Sequence, residues 1–496
     1  MLLHLLRSVG RGGRRRANAL HARAGAELRS GSAAAGLRLI SEALALEPGR
    51  PDLLARKADA LLLSGREEEA LAAYAAALPE VAVEEDPPGT PALSAHATWL
   101  RYLSRISVAD GVRPGAPHSA DLGAWSNYAS LLANARRTRS AAAVFERVCY
   151  ANPGDGYAWA ARALIHTVNR EWSAVVPAAS RAKQLGVELF EASMDSCLLS
   201  AALATGRAPG DLDEYLDWSA LGTGDVEGRL AQLPMLGGPM PAVSPQHELV
   251  FFIACDPAYL RRFGIALALS IRQQCPSAAV HFHIFSPDAS SETALRWLEG
   301  ALAPLALYAS HESVDFERFG GVARYCAAAR FARLYQWTQR NPNRVIMLDA
   351  DTLVRSDLAP ALARVPDVGL IFWPHEPMWH ALPAFFTAWR ASPATRAFLG
   401  RHAALMADNL LQRRARTFMD QVGLYVCRHV SPGAAQEIQS LPYTYCDPNF
   451  EPGSLAWTVT QGKEQAHAFH QLKASVLASA GLTPERVADP LWPRVP

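Results

Sequence analysis

The chain has 496 residues, half of them hydrophobic and 19% charged, enough for at least two domains with separate cores. A formal net charge of +1 excludes a nucleic-acid binder that relies on bulk electrostatics. Seven scattered cysteines, odd in number and without a CxxC pair, argue for a reducing compartment and against a disulfide framework or structural zinc.

The opening "MLLHLLRSVGRGGRRR" has too short an apolar run for a signal peptide, and its charge lies on the wrong side. Residues 1–20 are therefore expected to form a basic, solvated terminus, with peripheral contact to the inner membrane as the alternative. No stretch approaches the roughly 18 apolar residues of a transmembrane span, so a cytoplasmic location is expected.

Residues 21–232 read as helical repeats. "AGAELRSGSAAAGLRLISEALALEPGRP" is followed by "ARKADALLLSGREEEALAAYAAALPE", which places Gly31 and Gly65 34 residues apart. An irregular Pro- and Gly-rich stretch near 85–120 comes next. A second pair begins at Ala124-Trp125 and Ala158-Trp159, with the same spacing. Helical hairpins of this kind must stack to bury their apolar faces, and they resemble tetratricopeptide repeats. A further helical pair is expected to reach about residue 220. Such a solenoid offers a groove for a protein partner or acceptor; a spacer or dimerisation arm is the plainer alternative.

"LPMLGGPMPAVSPQ" (233–246) reads as a linker. In 247–496 the apolar runs "ELVFFIAC", "AVHFHIF" and "RVIML" alternate with helical stretches, which predicts a mostly parallel sheet covered on both faces. In such sheets ligands bind outside the carboxyl ends of the strands. There "VIMLDADTLV" sets Asp349 and Asp351, two apart and so on one side of an extended chain. Adjacent carboxylates repel unless a cation sits near them, and a hard divalent ion bridging to a diphosphate meets that demand. The plainer reading is one capping aspartate and one solvated.

"RVIMLDADTLVRSDL" resembles the donor-site strand of nucleotide-sugar glycosyltransferases with the GT-A fold, most of all glycosyltransferase family 8, which includes glycogenin and bacterial lipopolysaccharide galactosyltransferases. The likeness covers roughly residues 247–475. It implies a helical repeat solenoid followed by an α/β GT-A domain that uses a UDP-sugar and Mn2+ or Mg2+. By resemblance, Ala254, Asp256 and Tyr259 in "FFIACDPAYLRRFGIALALSI" are uridine-site candidates, and Ala350 joins Asp349 at the donor. In "RFARLYQW", Arg333 has the family's spacing to Asp349, and Arg330 lies one turn away. In "TFMDQVGLYV", Asp420 would hold donor-sugar hydroxyls and Gln421 would face the anomeric carbon. In "HAFHQLKAS", His467 or His470 would complete a metal site with Asp349 and Asp351, while Lys473 grips the diphosphate. Cys446 replaces the family's asparagine in "SLPYTYCDPNF", and Pro383 and Ala384 stand where Asn and a small residue are usual.

The implied activity is sugar transfer with retained anomeric configuration to a saccharide, lipid or protein acceptor. The alternatives are a repeat scaffold with a degenerate transferase domain, or a nucleotide-sugar hydrolase or nucleotidyltransferase on a similar sheet.

Overall fold

The computed structural model describes residues 2–79, 119–135, 137–187, 193–207, 216–222, 224–365, 367–373, 376–431, 438–459 and 466–489. The chain divides into two compact units at Gly206–Arg207.

The glycine spacing marks helix ends in the first unit. Helices α1 (Leu2–Arg29), α2 (Ala33–Leu46), α3 (Pro51–Leu63) and α4 (Glu67–Ala77) form antiparallel pairs. Gly31 and Gly65 follow α1 and α3 with φ of 84° and 75°, a backbone region that glycine enters without a steric penalty. At both ends the same two bonds close the turn. Gly31 N and Ser32 N donate to Leu28 O and Glu27 O, and Gly65 N and Arg66 N donate to Leu62 O and Leu61 O. Helices α5 (Ser119–Asn134), α6 (Thr138–Ala151), α7 (Gly156–Asn169), α8 (Trp172–Gln184) and α9 (Ser193–Ala204) continue the pattern. Trp125 and Trp159 occupy α5 and α7, and both pack against the apolar core of this unit. The irregular stretch read near 85–120 lies outside the described residues, except for residues 119 and 120.

Two expectations need correction here. The basic start is not a frayed tail, because α1 runs unbroken through it. Ala17, Leu20, Ala24 and Leu28 recur at helical spacing and are buried, and Ala17, Leu20 and Ala24 share a core with Leu39, Ile40 and Ala43. The repeats also end sooner than residue 232. Residues from 207 onward belong to the second unit, where Leu216 and Trp218 are buried. Asn409 fastens this segment: its side chain accepts from Asp217 N at 2.7 Å and donates to Asp217 O at 3.0 Å.

The second unit is built on continuous apolar runs. Strands β1 (Leu249–Cys255) and β2 (Ala279–Phe285) have no solvated face, so both must lie inside a covered sheet. Helix α10 (Ile265–Gln274) joins them, and α11 (Ala289–Leu302) leads to β3 (Ala306–Glu312). Helix α12 (Val322–Arg340) precedes β4 (Arg344–Leu348). Beyond β4 come β5 (Thr352–Val354), α13 (Ala359–Leu362), β6 (Val368–Ile371), β7 (Phe386–Trp389), α14 (Pro393–Leu411), α15 (Met419–Val430), β8 (Ile438–Leu441), β9 (Ala456–Thr458) and α16 (His467–Ala478).

Seven strands form one sheet in the order β3-β2-β1-β4-β7-β6-β8, and β7 alone is reversed. The carboxyl ends of β1, β4 and β6 therefore share one edge, together with the start of β7. Strand β5 pairs with β9 in a separate two-stranded ribbon, which folds residues 446–459 back beside the end of β4. The segment read as a linker is packed: Leu233, Met240 and Val243 are buried, and Gly237 N donates to His311 O at 2.9 Å.

Candidate active site

Strand β1 is buried throughout except at Ala254, which opens partly at the carboxyl edge. Asp256 follows and caps the next turn; its Oδ1 accepts from Tyr259 N at 2.9 Å. The Tyr259 ring packs on Phe263, with centroids 5.3 Å apart. The capping and packing roles of these two residues are thus present, and they hold the pair beside the edge.

Beyond β4, Asp349 N donates to Phe385 O at 3.1 Å, which ties the acid to the segment entering β7. The Asp349 side chain is 31% exposed, whereas Asp351 as a residue is only 4% exposed. Asp351 O accepts from Val459 N at 3.1 Å, where the chain leaves β9. Ala350, between them, is buried.

Arg330 of α12 donates to both Asp349 and Asp420, the latter at 2.7 Å. This single guanidinium joins the end of β4 to α15, and Arg330 and Asp420 themselves lie 90 residues apart in sequence. Asp420 is buried, and burial raises its carboxyl above the ordinary range, while Arg330 opposes that rise. Its Oδ1 accepts from Gln421 N at 2.9 Å, and the Asp420 backbone oxygen lies 2.9 Å from His402 Nε2. Phe418 precedes α15 with φ of 62°, a left-handed conformation that is unfavourable for an aromatic residue. The turn into Asp420 is therefore held by its surroundings, among them the His380 ring, 5.3 Å from the Phe418 ring.

Arg333 does not share this cluster, contrary to the family spacing. It is 1% exposed and pairs with Glu312 at the end of β3; it also donates to Pro234 O at 2.7 Å. His283 Nε2 lies 3.5 Å from Glu312, and both His281 and His283 reach Ser310 Oγ at 2.8 Å. Burial drives His281 down to about 3 and lowers His283 as well, although Glu312 opposes the shift at His283. The Arg333 guanidinium is sealed from solvent among these partners, with its Nε left without an acceptor. Arg330 takes the position expected of Arg333.

The expected set, Asp349 and Asp351 with either His467 or His470, is not assembled. Among the described residues no group of three or more His, Cys, Asp and Glu side chains converges in a manner that could hold a metal ion. Helix α16 packs inward through Phe469, Lys473 and Val476, whose spacing marks one face. His467 lies two residues before Phe469, roughly 200° around the helix, and is exposed. His470 is half-buried, with its ring against Phe469. Lys473 is buried, and its Nζ lies 4.8 Å from the Phe263 ring centroid. Burial lowers this ammonium to about 8, with Arg262 adding to the effect.

Other residues emerge only from the fold. Trp373 follows β6 at the same edge and meets Phe385, ring centroids 6.2 Å apart. Cys446 is fully buried, and its thiol is pushed well up, first by burial and then by Asp349. Asp447 is consumed by its own turn, accepting from Asn449 N, Glu451 N and Ser454 Oγ. Pro383 and Ala384 enter β7 at this edge, where Ala384 is buried. Aromatic residues at strand ends carry no periodic signature, so sequence spacing could not single out Trp373.

Comparison with known proteins places residues 5–93 in a match to the family described as Bacterial transcriptional activator domain. No curated protein matches the chain. Solved structures similar to it include the galactosyltransferase LgtC in complex with donor and acceptor sugar analogs, at 13% identity and a TM-score of 0.33, covering 46% of this chain and 95% of that one. The bifunctional glycosyltransferase WbbM matches at 14% identity and a TM-score of 0.34, over 48% of this chain and 51% of WbbM. The glycosyltransferase GlyE of Streptococcus pneumoniae TIGR4 matches at 13% identity and a TM-score of 0.33, over 50% of this chain and 63% of GlyE. Among the described residues no helix is long and apolar enough to cross a membrane.

Proposed function

We propose that the second unit is a glycosyltransferase that moves a sugar, a hexose by family resemblance, from a UDP-sugar to a saccharide, lipid or protein acceptor. The observation that carries this reading is that Arg330 ties Asp349, at the carboxyl end of β4, to Asp420 at the start of α15, with Asp351 two residues beyond Asp349. Asp349 and Asp351 at one strand end repel unless a divalent cation sits near them.

The donor set fits such an ion. Carboxylate oxygens are the hard ligands that Mg2+ and Mn2+ take, and these ions complete their shell with water and substrate phosphate oxygens. Asp349 and Asp351 would hold it. When bound, the ion would neutralise charge on the departing diphosphate. His467 and His470 stand as secondary candidates, and a change at the start of α16 would be needed to bring either one in.

The chain's own residues supply the rest. Lys473 offers a positive charge on a partly desolvated stem, suited to the diphosphate. Asp420 accepts hydrogen bonds from sugar hydroxyls and orients the ring, with Gln421 on the reacting side. Ala254, Asp256 and Tyr259 border the place where the nucleoside would lie, and Trp373 with Phe385 walls the other side. Retention of configuration follows from the family resemblance. The helical repeats are proposed to recruit the acceptor or a protein partner.

Calorimetric titration with UDP- and GDP-sugars, with and without Mn2+, tests the reading. A UDP-sugar should bind only with the metal and release UDP when acceptor is added. Metal-independent binding, or UDP release that acceptor does not accelerate, would favour a scaffold or a hydrolase.

A further inference from the structure

A cavity of about 480 Å3 opens at the amino edge of the sheet, across the strands from the acids. Its lining includes Glu248, Asn343, Arg344, Leu362 and Arg390. The sheet register explains why two arginines meet there. Val345 of β4 pairs with Trp389 of the antiparallel β7, so Arg344 and Arg390 are the next facing positions. Like charges placed opposite one another across strands repel. The effect is visible on Arg344: burial lowers its pKa, the Arg390 charge lowers it further, and Glu248 offsets only part.

Two buried polar atoms point to what belongs between them. Arg344 Nη1 is buried without an acceptor, and Asn343 Oδ1 is buried without a donor. The Asn343 orientation is set by its amide nitrogen, which donates to Ser244 O at 2.9 Å and His247 O at 2.7 Å. The site therefore lacks an oxyanion against the guanidiniums and a hydroxyl against the amide oxygen. The remaining wall is apolar, from Leu249, Ala359 and Leu362. The volume lies within the range of small-molecule sites.

We propose that this edge binds a phosphate monoester of a small hydroxylated molecule. The phosphate lies between Arg344 and Arg390, and a ligand hydroxyl donates to Asn343 Oδ1. Occupancy there braces the start of β4, five residues before Asp349, and so gives the opposite edge a ligand-dependent support.

Glycerol 3-phosphate and inorganic phosphate serve as probes, titrated calorimetrically into the full-length protein with and without UDP and Mn2+. Glycerol 3-phosphate should bind with one-to-one stoichiometry, at least about tenfold more tightly than inorganic phosphate, the equivalent of roughly 1.4 kcal/mol. Arg390→Gln should weaken it at least tenfold and leave UDP affinity unchanged. Arg390 is exposed, so the fold tolerates that change, and without ligand its removal should not lower the melting temperature. Arg344→Lys keeps the charge but loses the planar fork, and should also weaken binding. Displacement of the probe by UDP, equal binding of the two probes, or unaltered affinity in Arg390→Gln would each overturn the proposal.

Discussion

Two arginines three residues apart on α12 lead opposite lives. Arg330 reaches the carboxyl edge of β4 and holds Asp349 and Asp420, one of them open to solvent. Arg333 turns to β3 and is sealed with Glu312 and the His283 ring, all at most 1% exposed. Both clusters are ionic and both join distant elements. The sealed one has no room for a ligand, so its purpose is to anchor α12 against the sheet. The open one carries excess negative charge and a solvent face, which are the needs of a binding site. Burial and charge balance, rather than residue type, separate the architectural arginine from the one at the proposed site.

The largest effect is expected at Asp351. Asp351→Asn should abolish metal-dependent UDP binding in titration calorimetry, while the melting temperature of the metal-free protein stays nearly unchanged. Retained metal-dependent binding would rule out Asp351 as a metal ligand.

On the sealed side, Arg333→Met strands the buried Glu312 carboxylate and should cost about 3–5 kcal/mol of unfolding free energy. Denaturant melts measure that loss, and activity per folded molecule should hold. The double change Arg333→Met with Glu312→Leu should recover most of the stability. A catalytic defect in folded Arg333→Met would restore the phosphate role to this residue.

Asp420→Ala should lower donor turnover at least about a hundredfold, roughly 3 kcal/mol of barrier, with UDP affinity little altered because UDP lacks the sugar. Parallel loss of UDP affinity would instead make Asp420 part of the architecture.

The smallest effect concerns Lys473. With the ammonium lowered to about 8, below its ordinary 10.5, the unfolded chain binds this proton more strongly between those values. The free protein should therefore gain stability as pH rises across that window, and the burial penalty is fully present below it. A bound diphosphate restores the charged form, so UDP binding near pH 8 should take up about half a proton and near pH 6.5 almost none. Calorimetry in buffers of different ionisation enthalpy reads this difference. Equal uptake at both pH values would place the diphosphate away from Lys473.

The sequence by itself determined what local chemistry and period can carry. Continuous apolar runs forced β1, β2 and β4 into a covered sheet, the repeated glycines set the helix turns, and the Asp-Xaa-Asp step had to emerge at a strand end. Tertiary structure alone decided which partner each polar group meets. Family spacing favoured Arg333, yet Glu312 arrives from β3 and claims it, leaving Arg330 for the acids. His467 lies in a matching motif, but the inward face of α16 is chosen by Phe469 and Lys473, which turns that ring outward. At the basic start Arg14, Arg15 and Arg16 are exposed, as a solvated segment requires, but Leu39 and Ile40 supply a surface that buries Ala17, Leu20 and Ala24. Periodicity is a property of one segment, whereas burial and ion pairing belong to two, and the second is supplied only when the chain folds.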